Sequence, residues 1–269
     1  MDWLIFFTTT IYNQINHNQL TTPNTMLFHN PNNHQIFNND CQIIMQTLLN
    51  KNQLVNHIIT DPPYNISQNN NFHTMNNPRT GVDFGEWDKN FNPSLWLDLA
   101  YPLLDKNGSM VIFCSYKFIS QISAKIEQLG GVIKDIMVWQ KTNPMPRNIH
   151  RRYVQDMEFI LWAVKSKNSK WIFNKPDNKP YQRGFFQTPT LLGKERTKHP
   201  TQKPLALMKQ IIAIHSNENE LIFDPFMGTG STGVASLLLN RQFIGCERET
   251  QWFELAKTRF IDIERSSLL

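Results

Sequence analysis

The sequence has little cysteine and no long apolar run. Its three cysteines, Cys41, Cys114 and Cys246, are far apart in a chain of 269 residues and show no paired spacing. That spacing excludes a disulfide scaffold and argues against structural zinc, so we expect a reducing, cytoplasmic environment and no metal. No apolar run approaches the roughly 18 residues of a membrane span, and the opening "WLIFF" is too short for a signal core, so we expect neither a membrane anchor nor an export signal.

Acidic residues are scarce in one segment. Between positions 134 and 203 there are fifteen Lys or Arg residues and five Asp or Glu, a local charge of +10. The whole chain carries +5, so the remainder sums to −5. Six aromatic residues are interleaved with the basic ones: Trp139, Tyr153, Trp171, Tyr181, Phe185 and Phe186. This combination favours a surface that binds phosphates and stacks on bases, although an ordinary solvated basic surface is the alternative.

The order of apolar runs predicts an α/β domain with a mostly parallel sheet. Residues 1–33 are rich in Asn, Thr and His and predict an irregular extension before one domain at 34–269. The predicted strands are Gln35–Asn38, His57–Thr60, Ser109–Cys114, Val132–Gln140, Met157–Val164, Leu221–Phe226 and Gln242–Cys246. The predicted helices are Gln42–Leu49, Pro93–Leu104, Phe118–Leu129, Pro204–His215, Thr232–Leu239 and Thr250–Ile263. Three polar or proline-rich segments, 65–88, 142–155 and 166–197, are expected to be binding loops.

A glycine-rich turn follows the strand predicted at Leu221–Phe226. The string from Gly228 to Gly233 has the spacing of a nucleotide-binding turn, and Glu247 follows at the end of the next strand, where it could bind ribose hydroxyls. The pattern is compatible with a dinucleotide, with another ribose-bearing cofactor, or with a turn that holds no ligand. Asp224, Pro225 and Phe226 come just before the glycines, and a nearby carboxylate suits a sulfonium and an ammonium better than a pyrophosphate. The turn therefore favours S-adenosylmethionine.

The motif Asp61-Pro62-Pro63-Tyr64 follows the strand predicted at His57–Thr60. The exocyclic amine of adenine is a poor nucleophile, because its lone pair is delocalised into the ring. The Asp61 carboxylate and the Pro62 carbonyl can accept its two hydrogens, and the prolines hold these acceptors rigidly because their φ is fixed. Tyr64 offers a face for a base, worth about 1–3 kcal/mol of stacking. A plain turn at the end of a strand is the alternative.

Together these motifs resemble the β-class, permuted adenine-N6 DNA methyltransferases. In that family the catalytic motif precedes the DNA-binding region and the glycine motif, and this chain has the same order: Asp61–Tyr64, the basic segment, "HPTQKP" at 199–204, then Gly228–Gly230. The segment Val138–Ala163 is similar to the corresponding region of enzymes that methylate GATC or GANTC sites. The resemblance implies a seven-stranded Rossmann-like sheet with helices on both faces and a reversed hairpin formed by Val132–Gln140 and Met157–Val164.

The resemblance also implies residue roles. Asp40 and Cys41 would bind the cofactor's adenine, Glu247 its ribose, Phe226 and Gly228 its methionine portion, and Thr201, Gln202 and Lys203 its carboxylate end. Asp61, Asp224, Gly230 and Ser231 complete the predicted cofactor site, and Asp61, Pro62, Pro63 and Tyr64 are the predicted catalytic residues. The predicted DNA-binding residues are Lys141, Arg147, Arg151, Arg152 and Arg183.

The expected activity is methyl transfer from S-adenosylmethionine to N6 of a flipped-out adenine in double-stranded DNA, without a covalent enzyme intermediate. An N4-cytosine enzyme is one alternative, although that branch usually has Ser at the position of Asp61. A nicotinamide dehydrogenase would leave the Asp61–Tyr64 motif and the basic segment unexplained, and a catalytically silent DNA-binding protein is the third alternative. The sequence leaves open whether a cognate restriction endonuclease accompanies the enzyme and whether it forms a homodimer.

Overall fold

The structure is a computed structural model that describes residues 26–29, 34–66, 88–146, 149–151, 153–191 and 193–267. Within these residues the chain forms nine strands: β1 (Met26–His29), β2 (Gln35–Asn38), β3 (Val55–Thr60), β4 (Leu104–Cys114), β5 (Val132–Lys141), β6 (Met157–Val164), β7 (Phe185–Thr188), β8 (Leu221–Asp224) and β9 (Gln242–Glu247). The α-helices are α1 (Cys41–Asn50), α2 (Leu97–Leu103), α3 (Ile119–Gln128), α4 (Leu205–His215), α5 (Ser231–Leu238) and α6 (Thr250–Ser267). A short 3-10 helix spans Gly193–Glu195.

The strands form one mixed sheet in the order β1-β2-β9-β8-β3-β4-β6-β5-β7. The parallel strands include β2, β9, β8, β3 and β4 at the centre, whereas β6 runs antiparallel to both β4 and β5. The mostly parallel α/β fold and the reversed β5–β6 hairpin are thereby confirmed. All seven predicted strands are present, and two short edge strands bring the total to nine.

Both additional strands correct the sequence analysis. β1 lies within the extension 1–33 that was predicted to be irregular, and it pairs antiparallel with β2 from Met26↔Asn38 to His29↔Gln35. β7 lies within the predicted loop 166–197 and pairs parallel with β5, from Val138↔Phe185 to Lys141↔Thr188. Each is four residues long and has its pairing partner on one side only. Such strands exist because an edge of the sheet offers free backbone groups, which a short local pattern does not reveal.

The sheet is covered by three helices on each face. Along β4, Met110 and Ile112 pack with α1, α2 and α3, whereas Val111 and Phe113 face the core formed with α4, α5 and α6. All four side chains are fully buried, as expected for a central strand whose alternating side chains both face helices. No helix among the described residues is long and apolar enough to cross a membrane.

The chain changes direction across the sheet between β3 and β8, which are neighbours and parallel. After β3 it crosses to β4 on one side, and after β8 it crosses to β9 on the other. The two loops that leave the carboxyl ends of β3 and β8 therefore separate and leave a crevice, the usual ligand position in open α/β sheets. Asp61 follows β3 and Asp224 ends β8, so both predicted motifs meet at this crevice.

Candidate active site

The loop after β3 is fixed by a carboxylate that the sequence analysis did not identify. Pro62 and Pro63 carry no N–H, and the next three backbone N–H groups all donate to Asp88: those of Tyr64 at 2.9 Å, Asn65 at 2.9 Å and Ile66 at 2.8 Å. Asp88 is 2% exposed. One buried side chain thus satisfies the whole turn, and the backbone of the motif is held rigidly.

The catalytic motif and the glycine turn are directly connected. The Thr60 hydroxyl donates to the Asp224 carboxylate at 2.7 Å, and the backbone N–H of Phe226 donates to the same oxygen at 3.1 Å. Burial raises the pKa of Asp224 to about 6, despite these hydrogen bonds. Asp224 therefore joins the ends of β3 and β8 and sets the distance between the two motifs.

Two glycines in the turn adopt left-handed backbone conformations for different reasons. Gly228 has φ 54°, and its N–H donates to a Glu247 carboxylate oxygen at 3.0 Å. A Cβ there would lie 3.6 Å from the nearest atom, in the ring of His199, so the site is open to the cleft. Gly230 has φ 77°, and a Cβ would lie 2.8 Å from the ring of Phe260 on α6. Gly228 thus permits close approach from the cleft, and Gly230 permits close packing behind it.

A single cleft brings together nearly all the residues predicted to bind the cofactor. Its lining includes Asp40, Cys41, Asp61, Thr201, Gln202, Lys203, Asp224, Phe226, Gly228, Ser231 and Glu247, together with Pro63 of the catalytic motif. Gly230, Pro62 and Tyr64 are not in this lining, although the Tyr64 hydroxyl contacts Asp61, which is. Phe91, His199, Arg248 and Trp252 also line the cleft, although the sequence analysis gave them no individual role.

The chemistry of the cleft fits an adenosyl group. Glu247 accepts the backbone N–H of Gly228 and, at 2.7 Å, that of Glu249, and burial raises its pKa to about 7. Such a buried carboxyl group beside open space is suited to accept ribose hydroxyls. The ring of Phe226 is held edge-on by Phe91 and Trp96, each at a centroid distance of 5.4 Å, and offers an apolar wall.

Asp40 lies at the other end of the cleft, before α1. One of its carboxylate oxygens accepts the N–H of Gln42 at 2.8 Å and caps the helix. The remaining lone pairs can accept an amine. Cys41 begins the helix, and burial raises the pKa of its thiol to about 12, so it contributes a neutral wall to the cleft.

A cluster of charged side chains surrounds Asp61. The Tyr64 hydroxyl donates to one Asp61 oxygen at 2.7 Å, and the Lys203 ammonium contacts the other. Lys203 also lies 3.2 Å from Glu158, whose second oxygen is 2.6 Å from the Lys141 ammonium. Lys203, which was predicted to bind the cofactor's carboxylate end, lines the cleft, and its ammonium lies against Asp61.

The charged groups in this cluster shift one another's pKa values. Burial and, secondarily, Glu158 raise the pKa of Asp61, while Lys203 opposes them. Burial would lower the pKa of Lys203, but Asp61 and Glu158 together raise it, so the ammonium is retained. Burial likewise acts against ionisation of Glu158, yet Lys203 and Lys141 lower its pKa. Two carboxylates thus share the ammonium of Lys203, and Glu158 has a second cation that Asp61 lacks.

The "HPTQKP" string forms the wall opposite the glycine turn. The Gln202 carbonyl accepts the backbone N–H of Thr197 at 3.0 Å and its hydroxyl at 2.6 Å, and its amide donates to the carbonyl of Glu195 at 2.9 Å. The backbone N–H of Thr201 donates to His199 at 3.3 Å. Burial, with a contribution from Lys203, lowers the pKa of His199 to about 4, so the imidazole is neutral near pH 7. Gln202 therefore orders the string, and Thr201, whose hydroxyl lies 3.5 Å from His199 Nδ1, lines the cleft.

The predicted DNA-binding residues separate into groups. Arg147 and Arg152 lie outside the described residues. Arg151 is exposed in the segment between β5 and β6, at the same edge of the sheet as Asp61, and Tyr153 beside it is 94% exposed. Lys141 ends β5 and is paired with Glu158. Arg183 is exposed just before β7, the edge strand next to β5, and is therefore separated laterally from Asp61 by several strands.

The missed residues left weak signals in the sequence. Glu158 is a charged residue near the start of a strand that is otherwise almost entirely apolar, "MEFILWAV". Such a charge within a buried strand requires a partner, but its partner Lys203 is 45 residues away. Asp88 follows a segment without periodicity, and only the fold brings it to the backbone of Tyr64.

Comparison with known proteins gives a consistent set of similarities. A family model described as DNA methylase matches residues 55–258. Type II methyltransferase M2.MboI of Moraxella bovis is 33% identical over 245 residues, which are 86% of this chain and 89% of that protein. The crystal structure of an M1.HpyAVI–SAM complex is 48% identical, with a TM-score of 0.70 over 84% of this chain and 98% of the other. PvuII DNA methyltransferase, described as cytosine-N4-specific, is 15% identical with a TM-score of 0.65, over 87% of this chain and 90% of that one, and so shares the fold.

Proposed function

The chain belongs to the DNA methylase family and uses S-adenosylmethionine, and on that premise we propose that it methylates N6 of adenine in DNA. The adenine is turned out of the duplex within a short site, for which GATC or GANTC are the candidates. The proposed setting is a Type II restriction–modification system or an orphan methyltransferase in the cytoplasm. The Type II relatives support that setting and a cognate endonuclease as partner.

The proposed cofactor site uses the two ends of the cleft. Asp40 and Cys41 bind the adenine, Glu247 accepts the ribose hydroxyls, and Phe226 and Gly228 lie along the methionine portion. Thr201 and Gln202 are assigned to the carboxylate end, with Asp224 and Asp61 as acceptors for the ammonium. When bound, S-adenosylmethionine supplies an electrophilic methyl group on a sulfonium.

The proposed role of Asp61 is to accept a hydrogen of the target amine, while the Pro62 carbonyl accepts the other. These contacts draw the nitrogen lone pair out of conjugation and aim it at the cleft. Each Asp61 oxygen already has one protein partner, and a carboxylate has further lone pairs for the amine. The negative charge also stabilises the positive charge that develops on the nitrogen, and water can receive the released proton.

The proposed role of Tyr64 is to stack on the extruded base. Its hydroxyl is fixed by Asp61, so the ring has a defined orientation before DNA binds. Stacking of about 1–3 kcal/mol offsets part of the few kcal/mol required to extrude a nucleotide. A flipped purine would then lie beside the same carboxylate that accepts its amine.

DNA contacts are proposed for the loops 65–88, 142–155 and 166–197. Exposed Arg151 and Tyr153 support this role for the middle loop, because they lie at the edge of the sheet where Asp61 opens. The first half of the third segment is anchored instead: the Asn174 amide donates to the carbonyls of Ala213 and Ser216 at the end of α4. DNA contacts in this segment are therefore assigned to residues after the anchor.

One observation carries the proposal: the Asp61 acceptor and the Gly228 turn open on the same cleft, joined through Asp224. Treating unmethylated plasmid DNA with the protein and S-adenosylmethionine, followed by mass spectrometry of the nucleosides, tests it. N6-methyldeoxyadenosine is expected. N4-methyldeoxycytidine would instead identify the cytosine activity, and DNA binding without any methylated nucleoside would identify a silent binding protein.

A further inference from the structure

Four side chains of alternating charge run from the catalytic motif to the start of the loop 142–155. They are, in order, Asp61, Lys203, Glu158 and Lys141, and each contacts the next. They come from the end of β3, the start of α4, the start of β6 and the end of β5. The proposed mechanism uses the first and leaves Glu158 without a role.

Lys203 and Glu158 are placed where charges are costly. The side chain of Lys203 is 6% exposed and that of Glu158 is 17% exposed. The ring of Phe113 lies 5.0 Å from the Lys203 ammonium, so part of its surroundings is apolar. An apolar pair of similar size would fill this space at no desolvation cost, so the ion pairs point to a purpose other than stability.

The two oxygens of Asp61 are held from two directions, and both contacts lead to Glu158. The Tyr64 hydroxyl bonded to one Asp61 oxygen lies 3.3 Å from Glu158, and the Lys203 ammonium on the other lies 3.2 Å from it. Glu158 therefore touches both groups that fix the rotation of the Asp61 carboxylate. It also competes with Asp61 for the charge of Lys203.

We propose that Glu158 is a positioning residue that orients the Asp61 carboxylate through Lys203 and the Tyr64 hydroxyl and preserves its strength as an acceptor. This inference rests on the proposed function of Asp61. Without Glu158 the Lys203 ammonium would be left to Asp61 alone, and a fully neutralised carboxylate is a weaker acceptor for the target amine. Lys141 completes the cluster, because its ammonium balances the negative charge of Glu158.

The arrangement has an electrostatic signature that a merely structural residue would not produce. The groups that face Asp61 are Lys203, Glu158, Tyr64, Cys114 of β4 and Asp224 of β8. Of these, Glu158 raises the pKa of Asp61 and Lys203 lowers it. Removal of Glu158 should therefore shift the Asp61 titration to lower pH, and removal of Lys203 should shift it to higher pH.

Carboxyl carbon NMR on the protein without cofactor or DNA tests this signature. The carboxyl resonance of Asp61 is assigned because it is absent from the spectrum of Asp61→Asn. Its position is then followed as a function of pH in the wild type, Glu158→Gln and Lys203→Met. We expect shifts in opposite directions, and no shift in the matched control Glu127→Gln, which is exposed on α3. Equal titration in all proteins, or shifts in the same direction, would overturn the inference.

Kinetics and cofactor binding complete the test. Glu158→Gln should lower kcat about 10- to 100-fold with an unchanged Kd for S-adenosylmethionine, measured by calorimetry. If Glu158→Gln does not fold, Glu158→Asp keeps the charge but shortens the reach, and should also lower kcat; a wild-type kcat would refute the role. If Asp61→Ala is inactive and Glu158→Gln is fully active, the result contradicts this inference and leaves the proposed function intact. If both variants are active, the result contradicts the proposed function itself.

Discussion

Binding of S-adenosylmethionine should weaken as the pH falls through 7, because Glu247 must be ionised to accept two ribose hydroxyls. Burial raises the pKa of this carboxyl group to about 7 in the free protein. About nine-tenths of the molecules are then ionised at pH 8 and about one-tenth at pH 6. The Kd should therefore rise about tenfold between these values, which corresponds to about 1.4 kcal/mol.

The perturbation that isolates this effect is Glu247→Gln. Because the amide of Gln cannot ionise, this variant loses a hydrogen bond to a charged acceptor, worth about 1.5–3 kcal/mol. Its Kd for S-adenosylmethionine at pH 8 should therefore be about 10- to 150-fold higher than that of the wild type. Its Kd should also lose the tenfold pH dependence. Asp224, with a pKa of about 6, and the amino group of the cofactor titrate in both proteins, so the comparison removes their contributions.

Calorimetric titration at pH 6, 7 and 8 provides the measurement, with Glu254→Gln on the surface of α6 as a control that should match the wild type. Quenching of Trp252, which lines the cleft, is an independent signal. The reasoning would be refuted by a Kd that is the same at pH 6 and pH 8. It would also be refuted by an unchanged pH dependence in Glu247→Gln.

Two further predictions concern DNA and stability. Arg151→Ala should weaken DNA binding and reduce the slope of log K against log salt by about one; an unchanged affinity and slope in a filter-binding salt series would contradict its assignment to the DNA-binding loop. His215 is 1% exposed, both its ring nitrogens lack a hydrogen-bond partner among the described residues, and burial lowers its pKa to about 3. In the unfolded chain the imidazole of His215 takes up a proton as the pH falls through about 6.5, whereas in the folded protein it stays neutral down to about pH 3. This difference should lower the free energy of unfolding by about 2 kcal/mol between pH 8 and pH 5. His215→Leu should remove that part of the pH dependence in urea denaturation, and an identical pH dependence would contradict the assignment.

The sequence predicted the parallel core because its strands are buried on both faces and separated by amphipathic helices. β4 is apolar from Met110 to Cys114, and β8 is apolar from Leu221 to Phe223. The cofactor side of the cleft was also predictable, since Asp224, Phe226 and Gly228 are neighbours in the chain and carry a recognisable spacing. Strand order then brings them to Asp61 without further information.

The edge strands and the charged cluster were not predictable in the same way. β1 and β7 depend on long-range backbone pairing, and β7 lies in a proline-rich segment with the short alternating burial of an edge strand. The role of Glu158 depends on its contacts with Lys203 and Tyr64, which belong to segments far from it in sequence. The ion pairs of Lys203 were not predictable for the same reason: the string that contains Lys203 is recognisable in the sequence, but the carboxylates that its ammonium contacts come from other segments.

The most direct test of the account compares methyl transfer and cofactor binding in Asp61→Ala. Loss of the acceptor should lower the rate of methyl transfer to DNA by at least about 100-fold. Cofactor binding should weaken but remain measurable, because Asp224 can still accept the ammonium and Glu247, Phe226 and Asp40 are intact. A variant that still methylates adenine at a near-normal rate, or one that loses the reaction only because it no longer binds S-adenosylmethionine, would contradict the assignment of Asp61 as the acceptor of the target amine.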